Sequence, residues 1–177
     1  RLTHSLEVSC VGRSLGTLVG HHLRDSGLLP DSLQPADVGT IVATACLAHD
    51  IGNPPFGHSG EASMQGYFAR LLDAPGQQGL APVEVADLAH FEGNAQGFRI
   101  LTRLTYRRNG GMRPTLPSLG AMVKYPRGSL WHEATPTKPY KKFGFFQQDL
   151  PMARAVFDAF GPALDTPQPG WPRYPLA

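Results

Sequence analysis

The sequence predicts an all-α protein, and two observations lead to this class. Apolar residues recur at spacings of three and four along several segments, which is the period of an amphipathic helix. No stretch alternates apolar and polar residues for long enough to define a sheet. With 177 residues, 41% of them hydrophobic, the chain is long enough to form one domain with a sizeable core.

The first helix is predicted over residues 3–24 and the second over about residues 36–50. Each carries one apolar stripe that should face the core, and each stripe includes a histidine. A lone histidine on such a face is usually a core residue hydrogen-bonded to a backbone carbonyl. The first stripe comprises His4, Val8, Val11, Leu15 and Leu18, and the second comprises Val38, Ile41, Val42, Ala45, Cys46 and His49.

Four further helices are predicted after these two. Ser59 is expected to cap a third helix, and a fourth should run from about residue 83 to 107. A short helix should end near Lys124, and the last should cover residues 148–160, followed by extended chain. The fourth helix has a polar face (Glu92, Gln96, Arg99, Arg103) that is either solvated or a cleft wall, and the last should bury Met152, Ala155, Val156 and Ala159.

Candidate functional residues are densest between His49 and Glu61. His49 and Asp50 are adjacent, and a glycine and a double proline end the helix directly after them, so both side chains can converge on one cation. A buried carboxylate is costly unless it is paired or bound to a metal. Together with His4, the pair predicts a mixed nitrogen and oxygen site that suits manganese, iron, nickel, zinc or magnesium.

Three segments carry a resemblance to a known family. They are residues 1–5 (RLTHS), 48–58 (AHDIGNPPFGH) and 91–96 (FEGNAQ). In this order and spacing they resemble the HD-domain deoxynucleoside triphosphate triphosphohydrolases, and most closely the bacterial deoxyguanosine triphosphate triphosphohydrolase (dGTPase) group. Residues 123–126 (VKYP) and 141–146 (KKFGFF) extend the resemblance over nearly the whole chain.

The resemblance implies hydrolysis of a deoxynucleoside triphosphate, with dGTP as the first candidate, to deoxynucleoside and inorganic triphosphate. It implies a divalent metal ion, with manganese or magnesium expected before iron, nickel, cobalt or zinc. His58 would be catalytic with support from Glu61, because a carboxylate beside an imidazole fixes its tautomer; alternatively, Glu61 only complements the start of its helix. Substrate-binding residues would be Glu92, which could also support a histidine, and Asn94, Lys124 and Tyr125, with Arg99 or Arg103 as additional phosphate donors.

The resemblance also implies a homo-oligomer and a possible single-stranded DNA partner. The family has a fourth metal ligand, an aspartate on a helix after a Pro-Leu-Ala segment, and this sequence stops at Pro175-Leu176-Ala177. We therefore expect a partial HD domain, truncated at both ends and possessing little activity alone. Its metal-site core would cover about residues 1–107, and a basic, proline-rich segment about residues 108–177.

Net charge, apolar segments and cysteine content indicate the partners and the cell compartment to expect. A formal charge of +2 indicates no general affinity for polyanions, and no segment has the pattern of a signal peptide or the length of a membrane span. Cys10 and Cys46 should be buried, reduced thiols, so we expect a cytoplasmic protein.

Two alternatives to a deoxynucleoside triphosphate triphosphohydrolase remain. One alternative is another HD-domain phosphohydrolase, acting on a cyclic or hyperphosphorylated nucleotide. The other is a non-catalytic nucleotide or single-strand DNA binding module, against which the presence of His58 and Glu61 argues.

Overall fold

The computed structural model describes residues 2–73, 79–104, 111–130 and 142–160. Within these residues the fold is all-α, as predicted, apart from one isolated β-bridge between Gly128 and Phe145. None of their helices has the length and apolar character needed to cross a membrane. The α-helices are α1 (Leu2–Asp25), α2 (Pro35–Ala48), α3 (His58–Leu72), α4 (Pro82–Ala89), α5 (Gly93–Arg99), α6 (Leu116–Met122) and α7 (Leu150–Asp158).

Two shorter turns complete this order. A π-helical turn, Ile100–Leu104, continues α5, and a 3₁₀ turn, Gln147–Asp149, precedes α7. The predicted extended chain over residues 161–177, and the predicted division of the chain near residue 107, both lie outside the described residues.

Helix α1 packs against α2 along a face of small residues. Gly12, Gly16 and Gly20 are its buried residues, and a Cβ atom added to Gly16 would lie 2.9 Å from the Cα of Gly39. Because the two backbones nearly touch, only glycine fits there. The predicted core stripe is therefore wrong for Val11, Leu15 and Leu18, which are 60%, 57% and 64% exposed on another face of α1. Cys10 is also exposed, against expectation.

The second and third helices frame the loop that follows His49. Helix α2 begins with Pro35 and ends at Ala48, so His49 and Asp50 lie in the turn directly after it. Helix α3 begins two residues earlier than predicted, at His58, and its N-cap is Gly57 rather than Ser59. Gly57 has a φ of 57°, a conformation that glycine adopts without strain.

The predicted fourth helix is two helices. Helix α4 ends at Ala89, and Glu92 has extended backbone angles and caps α5 by accepting a hydrogen bond from the Asn94 backbone N–H. The cap interrupts what is otherwise a continuous helical pattern. As a result, the predicted polar face does not form as one surface. Glu92 contacts Lys142, whereas Arg99 and Arg103 contact Asp149.

The main core lies where α5, α6 and α7 meet. In α7 the predicted inward residue Val156 is fully buried, whereas Met152, Ala155 and Ala159 are exposed. Ala153 and Phe157 are buried in their place, because α7 packs against α6 through that side. The buried residues of this core are Phe98, Leu101, Leu119, Val123, Phe145, Ala153, Val156 and Phe157.

Candidate functional site

His4, His49 and Asp50 come together beside the C-terminal end of α2. One potential ligand atom from each residue lies within 4.8 Å of the others, and His49 Nε2 is 3.4 Å from Asp50 Oδ1. The rings of His4 and His49 meet edge to face with their centroids 5.3 Å apart. Both histidines are exposed and Asp50 is half-buried, so the expectation that the histidines point into the core is wrong. Their role as metal ligands stays a prediction.

Two neighbouring groups orient the His49–Asp50 pair. His49 Nδ1 lies 2.7 Å from the Cys46 carbonyl oxygen, and because that oxygen can only accept, Nδ1 donates and Nε2 keeps its lone pair. Asp50 Oδ1 accepts a hydrogen bond of 2.7 Å from Asn53 Nδ2. Such outer hydrogen bonds typically fix the ligands of a metal site. Two imidazole nitrogens and a carboxylate, with room for water, therefore fit a divalent cation.

His58 and Glu61 form a second pair at the start of α3. His58 Nδ1 lies 3.1 Å from Glu61 Oε2, and an ionised carboxylate can only accept, so Nδ1 donates. The other oxygen, Oε1, accepts from the Gly93 backbone N–H at 3.0 Å. The Glu61 side chain is 6% exposed and the His58 side chain 90%, so a buried carboxylate holds an exposed imidazole whose Nε2 is free for chemistry.

Lys142 joins this pair, although the sequence analysis did not select it as a site residue. Its Nζ is 2.8 Å from Glu92 Oε2 and 3.3 Å from Glu61 Oε2. Burial by itself would raise the pKa of Glu61, but hydrogen bonds from His58 and Gly93 and the ammonium of Lys142 outweigh it, so this pKa lies below its usual range. Burial opposes the charge of Lys142 as well, yet Glu92 and then Glu61 raise its pKa. Glu61 and Lys142 are therefore both charged near neutral pH.

Glu92 and Asn94 belong to the same network. Glu92 is buried, and it contacts Lys142 and accepts a 2.6 Å hydrogen bond from Asn94 Nδ2. Among the described residues Glu92 contacts Lys142 and Asn94 and no histidine, and the partner of His58 is Glu61.

One cleft of about 420 Å³ connects the two pairs. Lys124 is exposed at its wall, and Tyr125 is buried, with its ring centroid 5.5 Å from Lys124 Nζ. Arg99 and Arg103 donate to the buried Asp149 and do not line the cleft, so the structure does not support their use as phosphate donors. The lining residues are Val8, Val42, Ala45, Cys46, His49, Asp50, Asn53, His58, Asn94, Ala121, Met122 and Lys124.

Comparisons with known proteins point to one family. A deoxyguanosinetriphosphate triphosphohydrolase-like protein of Pseudomonas aeruginosa is 49% identical over 178 residues, covering 99% of this chain and 39% of that protein. A protein of the same description from Synechocystis sp. is 46% identical, covering 99% and 42%. A deoxyguanosinetriphosphate triphosphohydrolase of Cronobacter sakazakii is 36% identical, covering 100% and 39%.

The chain spans about two fifths of the length of these relatives. The sequence profile of the HD domain matches residues 1–116, which is well over half of the chain and includes both the His49–Asp50 and the His58–Glu61 pairs. On this match the chain belongs to the HD-domain family.

Proposed function

We propose that this protein hydrolyses a deoxynucleoside triphosphate, with dGTP as the first candidate, to deoxynucleoside and inorganic triphosphate. The observation that carries the proposal is the composition of the cleft: His49, Asp50, His58 and Lys124 all line it. Cation ligands, a proton-transfer group and a phosphate donor are the groups that this reaction requires. The names of the relatives, deoxyguanosinetriphosphate triphosphohydrolase and a protein like it, agree with this proposal.

His4, His49 and Asp50 would hold the divalent ion, with manganese or magnesium as the first choices. Such an ion supplies polarisation of a phosphate oxygen and of bound water. A nucleoside triphosphate carries about four negative charges, more than one dication neutralises, so lysine donors are needed as well. Lys124 is suited to this role because it is exposed at the cleft and its ammonium nitrogen lies over the ring of the buried Tyr125.

His58 is the group that would move the proton. Water attacks the α-phosphorus, a P–O bond forms to the water oxygen, and the bond from phosphorus to the sugar 5′-oxygen breaks. Nε2 of His58 takes the proton of the water and returns it to the departing 5′-oxygen. Glu61 stabilises the imidazolium that forms in between, because its carboxylate accepts from Nδ1 at 3.1 Å. Asn94, also at the cleft wall, would contact the substrate.

Product analysis tests the proposal in the intact protein. With dGTP and Mn²⁺ we expect equimolar deoxyguanosine and triphosphate, separated by anion exchange. His58→Ala should lower the rate by about a hundredfold or more, with Mn²⁺ affinity unchanged by calorimetry. His22→Ala is the matched control, because His22 is an exposed histidine at the far end of α1.

Other outcomes would overturn the proposal. Turnover only of a cyclic or hyperphosphorylated nucleotide would indicate a different HD-domain phosphohydrolase. Nucleotide or single-stranded DNA binding without any turnover would indicate a binding module. Assembly into a homo-oligomer and single-stranded DNA binding remain predictions of the resemblance, and sedimentation and filter binding on the same preparation measure them directly.

A further inference from the structure

We propose that Lys142 is a positioning residue for His58, acting through the Glu61 carboxylate that the two residues share. This inference rests on the proposed function, because it assigns a role within the same site. Lys142 Nζ and His58 Nδ1 both contact one oxygen, Glu61 Oε2, at 3.3 Å and 3.1 Å. The lysine is therefore placed to fix that carboxylate and to limit how strongly it draws a proton onto His58.

The backbone of Lys142 is held firmly enough for such a role. Its carbonyl oxygen accepts a 2.7 Å hydrogen bond from Arg127 Nε. The next residue, Phe143, is buried against Phe146 and Ala95 in a second apolar cluster beside the start of α5. The ammonium group consequently projects from a fixed point toward Glu61 and Glu92, and its side chain is only 29% exposed.

Among the described residues, three groups contact the Glu61 carboxylate. From its own helix Glu61 meets His58, from α5 the Gly93 N–H, and from the loop before α7 Lys142. Glu92 faces Lys142 from the N-cap of α5 and occupies the other side of the ammonium. Lys142 and His58 share one carboxylate oxygen, so removing the ammonium would leave Glu61 Oε2 to His58 alone. Among the described residues, the other charged or titratable groups that line the cleft with His58 are Cys46, His49, Asp50 and Lys124.

Steady-state kinetics of the intact protein separate positioning from phosphate binding. Lys142→Met should lower kcat for dGTP by about tenfold, with KM changed less than about twofold, because the lost contact orients His58 and not the substrate. Lys142→Arg should restore most of kcat, since guanidinium can also bridge two carboxylates. A raised KM with kcat unchanged would overturn the proposal, because it would make Lys142 a phosphate contact.

A second measurement needs no enzymatic activity. Diethyl pyrocarbonate labels neutral imidazole, and mass spectrometry reports His58 separately from the exposed His22, which is the internal reference. Because Lys142 and His58 share Glu61 Oε2, loss of the ammonium should strengthen the hold of that carboxylate on His58, so the labelling rate of His58 should fall in Lys142→Met and stay constant in Lys142→Arg. In a Glu61→Gln background Lys142→Met should have no effect. Unchanged labelling in the single variant, or an equal change in the Glu61→Gln background, would overturn the coupling.

The two measurements keep this inference distinct from the proposed function. If the intact protein releases no triphosphate, the proposed function fails, and the labelling experiment still decides the coupling of Lys142 to His58. If Lys142→Met does not fold, the double variant Glu92→Gln/Lys142→Met replaces it. Without Lys142 the buried Glu92 would be an unpaired carboxylate, and the second substitution removes its charge. Glu61 needs no such change, because it keeps its contacts with His58 and Gly93. The same labelling criteria then apply to the double variant.

Discussion

Replacing Asp149 by asparagine should destabilise this domain by about 3 kcal/mol. The Asp149 side chain is fully buried and holds two arginines: Arg99 Nε donates to Oδ2 at 2.8 Å, and Arg103 Nη1 to Oδ1 at 3.2 Å. Asparagine keeps the shape of the side chain and removes its charge. Arg99, which is 22% exposed and lies 4.5 Å from the Phe146 ring centroid, would keep a largely buried positive charge without a counterion.

The magnitude follows from how buried each partner is. Breaking a buried ion pair by removing one partner typically costs about 3–5 kcal/mol. Arg103 is 52% exposed, so its ion pair with Asp149 should contribute as a surface pair does, below about 1 kcal/mol of stability. Asparagine retains one acceptor oxygen, which places the expected loss near the lower end of the buried-pair range. Arg103→Ala is therefore the matched control, with an expected loss below about 1 kcal/mol.

Scanning calorimetry of the intact protein measures both variants. For a domain of this size, about 3 kcal/mol corresponds to a decrease of roughly 6–12 °C in the melting temperature of its transition. Arg103→Ala should also leave KM for dGTP unchanged, because Arg103 is turned to Asp149 and away from the cleft. A melting temperature of Asp149→Asn within about 1 °C of the unmodified protein would refute the reasoning, and so would a loss in Arg103→Ala as large as in Asp149→Asn.

Three further substitutions test the cleft and the backbone contact between Gly52 and α5. His49→Ala should reduce Mn²⁺ affinity by at least about tenfold in calorimetry with helical content unchanged, because it removes one of three donor atoms; unchanged affinity would remove His49 from the ligand set. Lys124→Ala should weaken a non-hydrolysable triphosphate analogue far more than deoxyguanosine, because the lost contact is local to phosphate. Equal weakening of both ligands would show that Lys124 holds the fold or the base. Gly52→Ala should cost at least about 2 kcal/mol in urea unfolding, because its methyl group would overlap the backbone of Gly93 and Gly97. Gly66→Ala, whose nearest neighbour beyond its own helix backbone would be Arg70 Nη1 at 3.8 Å, is the control and should be neutral or stabilising.

The helical class and the grouping of candidate residues were predictable from sequence because they depend on local patterns. His49, Asp50, His58 and Glu61 fall within thirteen residues that contain three glycines and two prolines, so a short loop must keep them near one another. The His58–Glu61 contact is likewise local, since residues three apart in the first turn of a helix share a face. His4 was assigned to this group because a core-facing stripe was predicted on its helix; the rings of His4 and His49 do meet, but the stripe is wrong, so that reasoning does not explain the contact.

Three features could not be predicted, and each depends on tertiary contact. The buried face of α1 consists of glycines, because close backbone approach to α2 outweighed burial of Val11, Leu15 and Leu18. Helix 83–107 is interrupted by Glu92, an uncommon N-cap that no propensity favours. Lys142 lies 81 residues from Glu61, and only the packing of the segment after Lys142 on the start of α5 brings them together.

Two of the segments that carry the family resemblance, residues 48–58 and 91–96, also support each other physically. Gly52, in the loop after Asp50, lies against the backbone of Gly93 and Gly97 in α5, so this loop and the first turn of α5 are in direct contact. A Cβ atom on Gly93 would lie 2.6 Å from Asn53 Oδ1 and 2.7 Å from Glu61 Oε1, yet its N–H must reach Glu61. Asn53 in turn donates to Asp50. A single glycine at position 93 therefore lets one turn of helix orient the partner of His58 while leaving space for the residue that orients Asp50. Because both pairs depend on this one contact, the spacing between the His49–Asp50 pair and the His58–Glu61 pair is set by the backbone of α5.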